Sequence, residues 1–79
     1  MDNLNDRMNE SLEFIRSRYG ELLSLSEVAT ILKYDSVGAV RKAHSRKTLP
    51  VKLYKIPKKA GQYAKAIDVA SYISQIPEA

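Results

Sequence analysis

The spacing of apolar residues changes along this chain, and that change limits the folds open to it. Apolar side chains recur every three or four residues from Leu4 to Tyr19 and again through residues 25–43, which is the period of an amphipathic helix. Between Pro50 and Pro57 the stretch "VKLYKI" alternates instead, as a β-strand does. Helical spacing then returns near the C-terminal end. The sequence therefore predicts a mainly α fold with a small β-hairpin, of the α+β class.

Length and composition exclude several classes of protein. The chain has 79 residues, enough for one small domain and too few for two, so residues 1–79 are expected to form a single domain. It has no cysteine, which excludes disulfides and zinc–thiolate sites. No apolar run approaches the ~20 residues of a membrane span, and the opening "MDNLNDRMNE" does not resemble a secretory signal. We expect a cytoplasmic protein with no metal or cofactor.

The first segment, residues 3–19, is predicted to be a helix. Its apolar stripe follows spacings of four, four, three and four: Leu4, Met8, Leu12, Ile15 and Tyr19. Asp2 or Asn3 can cap its start, and Gly20 is placed to end it in a left-handed turn. Phe14 lies off the stripe, so the helix either only completes the core or also forms a dimer contact through Phe14.

Two short helices are predicted next. In "SLSEVATIL", Ser24 and Glu27 have the spacing of a capping box, and the helix is expected to end near Lys33. Asp35 or Ser36 supplies the next N-cap. The third helix is expected to direct inward two valines and one of two residues in its last turn: Val37, Val40 and either Ala43 or His44. Two such helices joined by a short turn make a helix-turn-helix pattern.

Gly38 is an unusual residue within the third helix, since glycine there costs about 1 kcal/mol relative to alanine. Either it lies in the first turn, where the cost is small, or the bare backbone approaches a phosphate.

A basic hairpin and a closing helix complete the pattern. Two strands, residues 51–56 and 62–67, are predicted to flank a turn at "PKKAG". Tyr54 and Tyr63 are expected to pack across the strands rather than stack on bases. The closing helix, residues 68–75, carries apolar residues at helical spacing and ends at Pro77: Val69, Tyr72, Ile73 and Ile76.

Charge is distributed unevenly along the sequence. Residues 33–65 contain ten lysines and arginines against a single acidic residue, Asp35, whereas residues 1–32 have a net charge of −3. A basic region of this kind attracts polyanions, above all nucleic acid. The alternative is that these side chains only keep an exposed surface soluble.

Residues suited to catalysis are scarce. His44 is the only histidine, and the sequence has no thiol, no nucleophile motif of the G-x-S-x-G type and no phosphate-binding G-x-x-x-x-G-K-[ST] loop. We expect neither an enzyme nor a small-molecule substrate.

The order of these elements resembles a known family. "LLSLSEVATILKYDSVGAVRKAHSRKTLPVKLY" and "AIDVASYI" resemble the winged helix-turn-helix domain of MerR-type regulators and of phage or plasmid excisionases, and are also similar to small pyocin-activator-type regulators. The resemblance covers residues 22–73. Lys33 or Tyr34 stands where the family pattern has a glycine, and the N-terminal helix lies outside the shared pattern.

The resemblance implies a winged helix-turn-helix over residues 22–76, with an extra N-terminal helix, a two-stranded basic wing and a closing C-terminal helix. It also implies binding to double-stranded DNA, with the third helix in the major groove. The candidate residues of the recognition helix are Ser36, Gly38, Arg41, Lys42, Ser45, Arg46 and Lys47. Those of the wing are Lys52, Lys55, Lys58, Lys59, Gly61 and Lys65. Arginines suit guanine or phosphate, whereas the wing lysines suit phosphates.

We therefore expect a sequence-specific DNA-binding protein of a bacterial mobile element, present in the cytoplasm and on the nucleoid. It would act as a transcriptional regulator or as an excisionase-like architectural factor. A homodimer or a cooperative oligomer on DNA, formed through the N-terminal helix, is the expected assembly. The main alternative is a protein-interaction adaptor whose basic face binds an acidic partner. RNA binding requires more exposed aromatic residues than Tyr54 and Tyr63 supply.

Overall fold

The computed structural model describes residues 4–78, with side chains described from residue 6 onward. Within that range the chain is a small α+β protein of four helices and one three-stranded antiparallel sheet. The elements in chain order are α1 (Leu4–Tyr19), β1 (Leu22–Ser24), α2 (Leu25–Leu32), α3 (Val37–Ser45), β2 (Tyr54–Lys55), β3 (Gln62–Lys65) and α4 (Ala66–Ser74).

Helix α1 ends as predicted, and its predicted stripe faces the core from Met8 onward, the side chain of Leu4 lying outside the described residues. Leu12 and Ile15 are buried and Met8 is partly buried, and this face packs mainly against α4. Gly20 takes a left-handed φ of 88°, and its N–H donates to the carbonyl of Arg16 at 3.0 Å. Glycine is favoured there because it has no Cβ to clash. The predicted caps at residues 2 and 3 lie outside the described residues.

Helix α2 begins at the predicted capping box. The Glu27 N–H donates to Ser24 Oγ at 3.2 Å, and the Ser24 N–H donates to Glu27 Oε1 at 2.9 Å. Two N–H groups that would lack a helical partner are thereby satisfied. Val28 and Ala29 are buried against the rest of the core. The helix ends at Lys33, whose φ is 65°.

The sheet has one strand more than predicted. A two-stranded wing was expected, but β1 pairs with β3 and the strand order is β1-β3-β2. Leu23 lies opposite Ala64, and both are fully buried. A segment of three residues is too short to show a period, so nothing local identified it as a strand.

The hairpin strands are shorter than predicted. Strand β2 contains only Tyr54 and Lys55, and residues 51–53 are not in a strand. Val51 is nevertheless 6% exposed and belongs to the core. Burial of an irregular segment between Pro50 and the hairpin therefore produced part of the apolar pattern that suggested a longer strand.

Helix α4 is shifted toward the N-terminus relative to the prediction. It begins at Ala66, directly after β3, and ends at Ser74, three residues before Pro77. Val69 and Ile73 pack inward as predicted, whereas Tyr72 and Ile76 are exposed. Because the end of β3 leads straight into the helix, the strand pairing determines where the helix begins.

One buried cluster connects all four helices with the sheet. Its largest fully buried side chains come from α1, β1, α2, α3 and α4: Ile15, Leu23, Val28, Val40 and Val69. No helix within residues 4–78 is both long enough and apolar enough to cross a membrane.

Candidate nucleic-acid interface

Helix α3 has one buried face and one basic face. Ser36 caps its start, since Ser36 Oγ accepts the N–H of Ala39 at 3.1 Å. Val40 and Ala43 are buried, which settles the inward position in favour of Ala43 and leaves His44 exposed. The other predicted residues of this helix are all exposed: Gly38, Arg41, Lys42 and Ser45.

The last two residues of the predicted recognition helix lie outside it. Helix α3 ends at Ser45, Arg46 is its C-cap, and Lys47 has a left-handed φ of 59°. The Lys47 N–H donates to the His44 carbonyl at 3.1 Å, and the Thr48 N–H donates to the Ala43 carbonyl at 2.8 Å. These two bonds form the Schellman motif that commonly ends helices. Arg46 and Lys47 therefore project from the turn after the helix.

The glycine of α3 is not required by the fold. Its φ lies outside the left-handed region, and a Cβ added at Gly38 would meet only Ser36 Oγ, at 3.5 Å. That distance is ordinary van der Waals contact. The chain itself therefore leaves space for a larger side chain at this exposed position.

The β2–β3 hairpin carries three exposed lysines around its turn. The Lys59 N–H donates to the Ile56 carbonyl at 3.1 Å to close the turn. Lys58 and Gly61 have φ values of 68° and 83°. Lys55, Lys58 and Lys59 all face solvent. The end of the hairpin is therefore positively charged.

The two tyrosines of the hairpin pack across it, as predicted. Tyr54 is the register partner of Tyr63, and both are partly buried. The Lys65 ammonium lies 4.5 Å from the centroid of the Tyr54 ring, and the Lys59 ammonium lies 6.0 Å from that of Tyr63. Both rings are therefore already engaged by lysines of the same chain.

A hydrogen bond joins the hairpin to α4. The Tyr54 hydroxyl donates to Asp68 Oδ2 at 3.0 Å. This bond, assisted by desolvation and by the negative charge of Asp68, raises the pKa of Tyr54 above its ordinary value of 10.0. The sequence indicated Asp68 only as a charge near a helix start. The contact links residues 14 positions apart, and no local pattern pointed to it.

A groove of about 230 Å³ lies between α3 and the hairpin. Arg41 and Val37 line it from α3, and Gly61 and Tyr63 line it from the hairpin. Ser26, in the first turn of α2, also lines the groove, although the sequence did not single it out. The capping box was the available signal, because it places residue 26 in the exposed first turn of a helix.

Two of the predicted wing lysines lie in other grooves. Lys52 lines a groove with Tyr54, Asp68 and Gln75, beside α4. Lys65 lines another with Arg16, Glu21, Leu22 and Ile67, at the β1 edge of the sheet. The structure therefore groups Arg41 with the tip of the hairpin and separates Lys52 and Lys65 from them.

The basic region is exposed and carries no ion pairs of its own. All ten lysines and arginines of residues 33–65 are exposed, and within residues 6–78 none of them forms a salt bridge. Arg16 pairs instead with Glu21, at the end of α1. Exposed acidic residues are found on α1: Asp6, Glu10 and Glu13. Seven of these cations, on α3, the turn after it, β2 and the β2–β3 turn, are thus left without ion pairs among residues 6–78: Arg41, Lys42, Arg46, Lys47, Lys55, Lys58 and Lys59.

Among residues 6–78, no group of histidine, cysteine or carboxylate side chains is placed to hold a metal ion. The side-chain donors that line the α3–hairpin groove are a guanidinium, hydroxyl groups and the carboxamide of Gln62. Such donors recognise oxyanions and base edges. Comparison of the chain with protein-family models, with curated proteins and with solved structures finds no match.

Proposed function

We propose that this chain binds double-stranded DNA as a small winged helix-turn-helix protein. In this proposal α3 enters the major groove, and the β2–β3 hairpin follows the sugar-phosphate backbone as the wing. The observation that supports this proposal best is that seven exposed cations, without ion pairs in the described part of the chain, belong to α3, the turn that ends it, β2 and the β2–β3 turn. A chain that only needed solubility would gain nothing from concentrating them there.

The exposed face of α3 suits reading of a base edge. Arg41 is in mid-helix, exposed, and beside a groove rather than against an acidic side chain. An arginine in that position can donate two hydrogen bonds to guanine O6 and N7. We assign base reading to Arg41, with Lys42 and Ser45 on the same exposed surface. Arg46 and Lys47, in the turn, are assigned to phosphates.

Three lysines of the basic region have a backbone conformation that favours glycine. The three residues other than glycine with positive φ among residues 4–78 are Lys33, Lys47 and Lys58. Glycine is favoured in this conformation, and a side chain there costs about 1 kcal/mol. All three lie in the basic region and are exposed. Local structure accounts for each of these positions, because Lys33 ends α2, Lys47 belongs to the turn that ends α3, and Lys58 lies in the β2–β3 turn.

The first test is fluorescence anisotropy with a labelled mixed-sequence duplex. With about six phosphate contacts, affinity should fall roughly a thousandfold between about 50 mM and 200 mM salt. The variant Arg41→Ala/Arg46→Ala should bind much more weakly. The charge control is Arg7→Ala/Arg16→Ala, which removes two positive charges from α1, one of them paired with Glu21. Equal losses in the two variants, or no binding of the wild-type protein at low salt, would sink the proposal.

Base recognition by Arg41 and phosphate binding by the hairpin lysines can be tested separately. Selection of duplexes from a random pool should yield a preferred site, and Arg41→Ala should relax the preference at one position. Lys58→Ala/Lys59→Ala should instead reduce affinity for all duplexes and lower the salt slope by about two. If the hairpin variant changed sequence preference and Arg41→Ala did not, the roles would be reversed.

We propose that the protein acts on the DNA of a bacterial mobile element, as a transcriptional regulator or as an excisionase-like architectural factor. A gel assay of DNA bending on the selected sites distinguishes these roles. Bending and occupancy of several adjacent sites would favour the architectural role, whereas an isolated, unbent operator would favour the regulator.

A further inference from the structure

On the outer face of α1, an aromatic residue lies between an acidic residue and a basic residue. Glu10, Phe14 and Arg18 are spaced four residues apart, so they form one ridge along the helix. All three are exposed, and Phe14, at 56%, is the most exposed large apolar residue among the described side chains. The guanidinium carbon of Arg18 lies 4.8 Å from the centroid of the Phe14 ring. Glu10 has no ion-pair partner within residues 6–78.

An apolar groove runs beside this ridge. It has a volume of about 540 Å³, and apolar side chains from three helices line it: Phe14 and Ile15 of α1, Ile31 of α2 and Ile73 of α4. None of its lining residues also lines the α3–hairpin groove. Helix α1 packs mainly on α4, whereas α3 packs mainly on α2. Lys33 also lines the groove, but no residue of α3 or of the hairpin does, so the groove lies apart from the proposed recognition helix and wing.

We propose that a second copy of this chain occupies the groove, with the two α1 helices antiparallel and the two Phe14 rings at the twofold axis. A helix rises 1.5 Å per residue, so Glu10 and Arg18 each lie about 6 Å from Phe14 along the axis, in opposite directions. Reversing one helix therefore brings Glu10 of each copy opposite Arg18 of the other. A parallel arrangement would instead place like charges opposite each other.

Helix packing geometry is compatible with this arrangement. Rows of residues four apart are inclined to the helix axis by about 26°, and two such rows lie alongside each other when helices cross at about 50°. Each Phe14 would then enter the groove of the other copy, next to Ile31 and Ile73. The contact is isologous, and the twofold axis repeats each Glu10–Arg18 pair.

The dimer has a consequence for DNA, which rests on the proposed function. A twofold axis relates the two α3 helices, so the preferred duplex would be an inverted repeat. The two half-sites would be read by equivalent residues of the two copies.

The test of the dimer uses sedimentation velocity without DNA. Stable specific interfaces bury ~1,200–2,000 Å² in total, and contact through one helix and a groove belongs at the small end of that range. We expect a shift from monomer to dimer between about 5 and 500 µM protein. Phe14→Ala should leave the protein monomeric over that range.

Charge reversal tests the orientation of the helices. Glu10→Arg or Arg18→Glu alone places like charges opposite each other and should weaken the dimer about tenfold, because each change acts twice. An equimolar mixture of the two single variants, or the double variant Glu10→Arg/Arg18→Glu, should restore it. The matched control is Glu13→Arg, an equal change of charge at an exposed α1 residue outside the groove. Circular dichroism establishes that each variant remains folded.

A wild-type protein that stays monomeric at the highest concentration would overturn the proposal, and would leave the groove to a different partner. Failure of the mixture to restore association would equally refute the antiparallel pairing. These results do not depend on DNA. Monomeric protein that still binds duplex would refute only the dimer, and a dimer that binds no duplex would refute only the proposed function.

Discussion

Leu23 and Leu22 offer the sharpest test of this fold. They are adjacent in β1, but Leu23 is fully buried opposite Ala64, whereas Leu22 is 42% exposed opposite Lys65. Leu23→Ala should therefore destabilise the protein strongly. Removal of the buried atoms costs about 2 kcal/mol in transfer free energy, and the cavity raises the total to about 2–5 kcal/mol.

That loss is large for a chain of this size. At roughly 0.05–0.15 kcal/mol per residue, 79 residues give a free energy of unfolding of about 4–12 kcal/mol. Urea unfolding followed by circular dichroism measures the change. With a urea m-value of about 1 kcal/mol/M, the midpoint should fall by about 2 M or more.

Leu22→Ala is the matched control, since it deletes the same atoms from the neighbouring residue. We expect a loss below about 1 kcal/mol, because the Leu22 side chain is 42% exposed and its truncation leaves no enclosed cavity. If Leu22→Ala were as damaging as Leu23→Ala, or more so, the register of β1 would be displaced by one residue. Such a slip turns each side chain to the opposite face of the sheet.

Other consequences of the structure can be checked in the same way. Ser24→Ala removes the N-cap of α2 and should cost about 1 kcal/mol, or about 4–8 °C in Tm by calorimetry. Gly38→Ala should raise the free energy of unfolding by about 0.4–1 kcal/mol in urea, while weakening duplex binding if the α3 backbone approaches a phosphate. Lys47→Gly relieves a positive φ and should stabilise the protein by about 1 kcal/mol while reducing duplex affinity, so a loss of stability would contradict the role given to that turn. The pKa of Tyr54 is higher in the folded chain than the unfolded value of 10.0, so the free energy of unfolding should fall as the pH rises above 10.0. Ultraviolet titration of the Asp68→Asn variant should show the pKa of Tyr54 moving back toward 10.0.

Signals carried by neighbouring residues were predicted correctly from the sequence. The capping box of Ser24 and Glu27, the left-handed Gly20 and the N-cap Ser36, one of two candidates with Asp35, each involve groups no more than four residues apart. The spacing of apolar residues in α1 and α2 likewise identified the faces that are buried. The composition of residues 33–65 predicted a basic region, and every cation in it is exposed.

Tertiary structure decided the features that depend on distant residues. Strand β1 exists because residues 22–24 pair with residues 63–65, and that pairing also brings the start of α4 forward to Ala66. The same pairing adds a third strand to what the sequence showed as a two-stranded hairpin. Such short strands have no period of their own, and only pairing across the sheet satisfies their backbone groups.

The candidate site shows the same division. The sequence alone determined which residues are cationic and which helix carries them, because residue type and helical period are local properties. Only the tertiary structure shows that Arg41 and Gly61 line the same groove, and that Lys52 and Lys65 line two other grooves. It also bonded Tyr54 to Asp68. These positions depend on how β3 pairs and how α4 packs, and both result from contacts between residues far apart in the chain.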